Sequence, residues 1–213
     1  MIVVGAKGHA SEVLEILVSQ NVQNIAFFDD VNDPSDLNKT LEYDILRSLE
    51  EVRNFFVEVD NFDFVLGLGV PIHRELMAKK FIAIGGNLMT VISNSSVIGK
   101  NLVIIGKGTQ IMNQAVLTTK INIGSGVLIN AHSSIMHDSI IEDYVEIAPG
   151  VRLLGRCKIS KRVQLGANSV VLPDIVIGEN TIVGAGAVVT KNLPANVVAV
   201  GIPAKIIKYI GNV

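Results

Sequence analysis

This 213-residue chain has four histidines, the residue type best suited to exchanging protons at neutral pH: His9, His73, His132 and His137. His137 lies in Ile135-Met-His-Asp-Ser-Ile140, directly before Asp138. An imidazole beside a carboxylate has the residue types for taking a proton from a nucleophile, the acid serving to orient the base. An exposed histidine on a turn gives the same letters. A second chemical signal is Gly5-Ala-Lys-Gly8-His9, which follows the apolar Ile2-Val-Val4. Glycines there let backbone approach a phosphate, and a following helix offers unpaired N–H groups and a positive dipole end. Asp29 and Asp30 close another apolar run, where an acid typically meets a ribose hydroxyl. A plain tight turn accounts for Gly5 and Gly8 equally well. Cys157 falls at a small, inward position and reads as core rather than as a nucleophile.

Two kinds of element must position these groups. The first 86 residues read as a small α/β unit. Strands are expected at 2–4, about 24–28 and 64–68, with helices from about Ala10 to Gln20 and over 71–81. Alternation of strand and helix implies a parallel, Rossmann-like sheet, too short for a full dinucleotide domain. Residues 87–213 read differently. Stepping by six from Ile105 to Val189 meets only Ile, Leu or Val, at fifteen successive positions. The position four further on is small or β-branched, from Thr109 to Ala187, and glycine recurs at the next position after the aliphatic, as at Gly106, Gly124 and Gly166. Six is a multiple of the strand period, so each hexad shows the same face inward. Three short strands then close a triangular coil, with glycine and asparagine expected to turn the corners. Neither a helix nor a sandwich has a period of six.

Composition narrows the partners. Residues 1–90 carry seven Lys/Arg against fourteen Asp/Glu, and residues 91–213 carry eleven against six. A basic second domain suits a polyanionic ligand, but aromatic residues are too scarce there to suggest nucleic acid. No apolar run reaches the roughly 18–20 residues of a spanning helix, and no leader is read at the start, so no membrane insertion is expected. One cysteine excludes an internal disulfide and fits a cytoplasmic location.

The six-residue pattern over 92–190 resembles the hexapeptide-repeat proteins. That resemblance implies a left-handed parallel β-helix, against the usual right-handed crossover rule, and a homotrimer with sites between neighbouring prisms. Together with the Gly5-x-x-Gly8-His9-Ala10 loop and the Phe27-Phe-Asp-Asp30 strand end, nearly the whole chain resembles bacterial nucleotide-sugar acetyltransferases, of the perosamine N-acetyltransferase and sialic acid O-acetyltransferase type. The implied function is acetyl transfer from acetyl-CoA to an amino group on a nucleotide-linked sugar, with O-acetylation as the alternative. The N-terminal domain would hold the nucleotide sugar through Gly5, Gly8, His9, Asp29 and Asp30, and the β-helix would hold acetyl-CoA.

By the same resemblance His137 is the general base and Asp138 orients it. The Gly155 N–H is a donor to the thioester oxygen, although a plain corner glycine is an equal reading. Glu146 departs from the family, whose members commonly carry a second histidine there near the acetyl group. Gly184, Ala185 and Gly186 leave room for a pantetheine arm, and Lys205, in Gly201-Ile-Pro-Ala-Lys205, lies toward the CoA adenine end. A short helix after Pro203 is expected to cap the last coil. The His132/His137 spacing is also similar to γ-class carbonic anhydrases, which use three zinc-binding histidines. Residues 74–131 hold no histidine to complete such a set, so no metal is expected.

Overall fold

The computed structural model describes residues 1–33 and 43–211. The chain divides into two compact units, Met1–Val91 and Ile92–Val213. In the first unit the strands are β1 (Ile2–Val4), β2 (Ala26–Phe28), β3 (Ile45–Leu46), β4 (Asp63–Leu66) and β5 (Asn87–Leu88). The helices are α1 (Gly8–Ser19), α2 (Leu49–Glu58) and α3 (Pro71–Ala83). The sheet is parallel throughout, in the order β3-β2-β1-β4-β5. Strand order therefore reverses beside β1, and the crevice beyond the carboxyl ends of β1 and β4 is where such sheets bind ligands. The central strands β1 and β2, and β4 after Asp63, are apolar on both faces and buried, as a sheet covered on both sides requires.

Three of these elements go beyond the expectations from sequence. β3 and β5 are two residues each and carry no periodic signal. α2 has a legible start: Ser48 accepts from the Glu51 N–H, and Glu51 accepts in return from the Arg47 N–H at 2.6 Å. α1 begins at Gly8 rather than near Ala10, with Lys7 as its N-cap.

The second unit is a three-faced prism. Each strand pairs in parallel with the one eighteen residues on, as Val116 with Ser134 and Ser134 with Arg152. One face runs through Ser134–Ile135 and Arg152–Leu153, the next through Ile140–Ile141 and Lys158–Ile159, and the third through Glu146–Ile147 and Gln164–Leu165. Of the fifteen aliphatic residues in the six-step series only Ile105 is partly exposed, and the small or branched residues four positions on are all buried. Thr109, Ser133 and Thr181 donate their hydroxyls to carbonyls of the next coil, so these inward polar groups are satisfied.

The corners turn on glycine and asparagine, as at Gly126 and Asn168, but on other residue types as well. Every residue three positions after the inward aliphatic, from Gly108 to Gly186, has φ between 53° and 73°, whatever its side chain. Gln114, Lys120, His132, Asp138, Tyr144 and Arg156 all adopt this left-handed backbone. It costs an ordinary residue roughly 1–2 kcal/mol. The cost is offset because the corner N–H is thereby turned onto a carbonyl of the preceding coil, as Arg156 N–H to His137 O at 2.9 Å. Glycines at the position after the aliphatic serve instead for close approach. A Cβ on Gly106 would lie 2.4 Å from the Gly124 carbonyl in the adjoining coil.

The end of the prism also departs from expectation. No helix follows Pro203. A turn leads into strand Lys205–Tyr209, which pairs antiparallel with Val197–Val200. The sequence Lys-Ile-Ile-Lys-Tyr is β-favouring, and the free edge of the last coil supplies unpaired backbone for it. No helix among the described residues is long and apolar enough to cross a membrane.

Candidate functional site

In the first unit a cavity of about 410 Å³ opens at the carboxyl ends of the central strands. Val4, Gly5, Phe28, Asp29 and Asp30 line it from β1 and β2, Leu68 from the loop after β4, and His73, Leu76, Met77 and Lys80 from α3. The two glycines of the first loop differ in what the fold demands of them. Gly5 has φ 108°, and a Cβ there would lie 2.7 Å from the Gly67 carbonyl oxygen, so the fold itself requires glycine. Gly8 would place a Cβ in open space. Gly8 and His9 do not line the cavity, and His9 Nδ1 lies 3.2 Å from Glu12 Oε2.

The acid pair also splits. Asp29 is buried and accepts from the Val31 and Asn32 N–H groups at 3.1 and 2.8 Å and from the Asn32 side chain. Burial pushes its carboxyl up, but the hydrogen bonds from Asn32 and Val31 and the Arg47 charge outweigh that and hold it below the ordinary range. Its stabilising effect is thus full above the unfolded carboxylate value and is lost as pH falls through the lower folded one. Asp30 is exposed and lines the cavity. Sequence reading gave no role to His73 or Lys80. With Leu76 and Met77 they occupy positions i, i+3, i+4 and i+7 of α3, a single face. That spacing was the available signal, and it places two nitrogen-bearing side chains in the cavity of an acidic domain.

On the prism, His137 precedes the left-handed corner at Asp138. That corner brings Asp138 Oδ2 to 2.7 Å from His137 Nδ1. With the shared proton on Nδ1, the Nε2 lone pair is the free one. The imidazole is about half exposed, at 47%. Gly155, eighteen residues on, lies against the ring: a Cβ there would sit 2.6 Å from both Cε1 and Nε2 of His137. Ladder bonds in this coil use the Leu154, Arg156 and Lys158 N–H groups, and no described residue accepts from the Gly155 N–H.

The other candidates lie elsewhere. Glu146 belongs to the third face, so one chain does not bring it to His137. His132 turns a different corner, at φ 59°, and its carbonyl accepts from Arg152 at 3.0 Å, so the five-residue spacing does not make the two histidines converge. Gly184, Ala185 and Gly186 share that other edge, further along. They meet the C-terminal tail there: a Cβ on Gly184 would lie 2.7 Å from Val200 Cγ1, and Val200 pairs with Lys205. Cys157 is buried within the prism, with its thiol directed to the Leu172 carbonyl, and burial pushes that thiol up.

Comparison with known proteins accounts for both units. Residues 1–81 match the family model "PglD N-terminal domain", and residues 120–155 and 156–191 match "Bacterial transferase hexapeptide (six repeats)". WeeI from Acinetobacter baumannii is 31% identical, with 97% of this chain and 98% of that one covered at a TM-score of 0.88. A histidine-to-asparagine variant of perosamine N-acetyltransferase from Caulobacter crescentus, solved with CoA and GDP-perosamine, is 26% identical over 97% of this chain and 96% of that one, with a TM-score of 0.89. The acetyltransferase domain of PglB from Neisseria gonorrhoeae is 25% identical over 97% and 98%, with a TM-score of 0.87. The chain spans about half or less of the curated relatives it matches by sequence. One such relative is the serine acetyltransferase of Buchnera aphidicola, 39% identical over 102 residues, or 43% of this chain and 39% of that protein. The prism is the left-handed parallel β-helix of these folds. With both units matched in order and whole-length likeness to WeeI, the chain belongs to the bacterial sugar acetyltransferases that join a PglD N-terminal domain to a hexapeptide-repeat β-helix.

Proposed function

We propose that this protein transfers an acetyl group from acetyl-CoA to an amino group of a nucleotide-linked sugar, with His137 as the general base. The observation that carries this reading is the His137–Asp138 pair at 2.7 Å, with the imidazole lying against Gly155. The amine attacks the thioester carbonyl carbon directly, forming the C–N bond. Nε2 of His137 takes the proton that the nitrogen must lose. The Gly155 N–H meets the oxyanion of the tetrahedral intermediate. Collapse of that intermediate breaks the C–S bond, and the departing CoA sulfur receives the proton back from His137. The binding of CoA and GDP-perosamine by the Caulobacter relative supports the choice of both substrates. Glu146 is a bystander to acetyl positioning within one chain, because it lies on another face.

The nucleotide end falls to the first unit. Lys80 and His73 face the diphosphate from the cavity lining and Asp30 receives a ribose hydroxyl, while the N–H groups at the start of α1 meet the phosphate from outside that lining, past the Gly5 rim. Gly184, Ala185, Gly186 and Lys205 hold CoA along the far edge of the prism. Replacing Gly8 with valine leaves the fold intact, since the added side chain enters open space. It is expected to raise KM for the sugar nucleotide by roughly tenfold and to move KM for acetyl-CoA by less than about twofold. Equal shifts in both constants would remove Gly8 from the phosphate site.

The prism exposes Ile104 at 61%, Ile140 at 45% and Val176 at 40% along one face. Those side chains, together with CoA and His137 residues on different edges, favour a homotrimer whose neighbouring prisms complete the site. Light scattering at micromolar concentration is expected to give three chains; a stable monomer would contradict this. A reducing compartment, the cytoplasm, suits the buried Cys157 thiol.

A further inference from the structure

We propose that Asp174 is a positioning residue for the proton-accepting pair: it holds the Arg156 guanidinium away from Asp138, so that Asp138 serves His137 alone. This rests on the reading of His137 as the base. The argument begins with the corner column. Lys120, Asp138, Arg156 and Asp174 occupy the same left-handed corner in consecutive coils. Side chains in such a column are neighbours at the strand spacing of about 4.8 Å. Arg156 therefore has a carboxylate on each side, one coil before and one coil after.

The structure resolves the competition in one direction. Arg156 Nε lies 2.6 Å from Asp174 Oδ1, and Nη2 lies 2.8 Å from Asp174 Oδ2. That fork takes the whole carboxylate of Asp174 and leaves Asp138 Oδ2 on His137 Nδ1. The main chain of Arg156 is pinned beside this column, because its N–H donates to the His137 carbonyl at 2.9 Å, and its guanidinium can therefore turn to either neighbouring carboxylate. Its guanidinium also stays charged at any working pH. The hydrogen bonds and charge of Arg156 hold the Asp174 carboxyl below the usual carboxylate range, with a smaller part from His137.

The pair is half exposed or more on both sides, and exposed ion pairs stabilise folds little. Its consequence lies in where charge is placed. Without the Asp174 carboxylate, the guanidinium has Asp138 as its nearest acid. It would draw Asp138 off Nδ1 and set an uncompensated positive charge beside the imidazole. Both changes lower the basicity of His137. The charged groups around the imidazole are Lys120 from the coil before, Asp138 beside it, and Arg156 and Asp174 from the two coils after.

The test is an NMR titration of the His137 imidazole in the full-length protein, with turnover measured in parallel. Asp174→Asn is expected to move the titration midpoint of the His137 imidazole to lower pH than in the wild type. The acid limb of kcat/KM should move down in pH by the same amount, because the base must be neutral, and kcat should fall about 5–20-fold. Arg156→Gln alone should leave kcat within about twofold, and adding it to Asp174→Asn should restore kcat to within about twofold of wild type. A His137 pKa unmoved in Asp174→Asn would overturn the proposal. So would an Arg156→Gln variant as damaged as Asp174→Asn, the result expected of an ion pair that only stiffens the corner. The imidazole titration needs no substrate. A wild-type protein without acetyl transfer would sink the functional reading while leaving this result legible.

Discussion

His137→Ala is expected to lower kcat by about 10²–10⁴-fold while leaving the Kd for acetyl-CoA within about threefold. The size follows from the task. A sugar amine that attacks a thioester must shed a proton, and no other described titratable side chain lies within hydrogen-bond reach of the His137 ring except Asp138. Asp138 is a weak base and is already committed to Nδ1. Water can replace the imidazole only at the cost of the positioning that the prism corner supplies. The binding constant should hold because the imidazole is half exposed, and its removal breaks only the bond to Asp138. Asp138→Asn should cost less, since it removes orientation and charge support but leaves the base in place. Its amide would also accept from Nδ1 only through its oxygen. A His137→Ala protein within threefold of wild type would remove His137 from the chemistry.

Gly155→Ala is expected to reduce kcat by roughly 10²-fold with little loss of fold stability. A methyl at Gly155 would lie 2.6 Å from Cε1 and Nε2 of His137, well inside contact distance. The obstructed atoms are the far end of a side chain on an exposed corner, so the ring can swing aside and the backbone need not. Displacement by about an ångström is enough to spoil proton transfer, while the inward residues of the coil, Leu153 and Cys157, stay buried as before. The same methyl would crowd the oxyanion site proposed in front of the Gly155 N–H. Thermal melting and steady-state kinetics on one preparation separate the effects. An unchanged melting temperature with a large fall in kcat is the expected pattern. An unchanged kcat would mean that neither the His137 ring nor the Gly155 N–H sits at the reacting atoms.

The prism was legible because its constraint is geometric and repeats. An interior that narrow admits an aliphatic residue every sixth position and a small or branched one four later, and each residue type is forced afresh in every coil. The corner was not legible in the same way. The left-handed position holds Gln114, Lys120, Tyr144 and Arg156 as readily as Gly126 or Asn168, because it points outward and the ladder N–H compensates for the backbone cost. Glycine at the preceding turn position reported a close approach between coils instead. In the first unit, two-residue strands such as β3 and β5 are too short to leave a periodic trace. The cavity face of α3 emerges only once that helix has docked on β4 and β5. His73 and Lys80 are three and four positions from Leu76, and nothing in the letters says which side of the helix meets a ligand. Glu146 and His132 show the converse limit. Both are near His137 in sequence, yet each coil carries the chain around a triangle, so a few residues move a side chain to another face or another edge.

The most direct test mixes the purified full-length protein with acetyl-CoA and a panel of nucleotide-linked amino sugars, following thiol release and product mass together. Thiol release should require both substrates. One nucleotide amino sugar should gain a single acetyl group on its nitrogen, and the His137→Ala protein should release little thiol under the same conditions. Thiol release that proceeds equally without any sugar, or an acetyl group found only on a hydroxyl, would contradict the account.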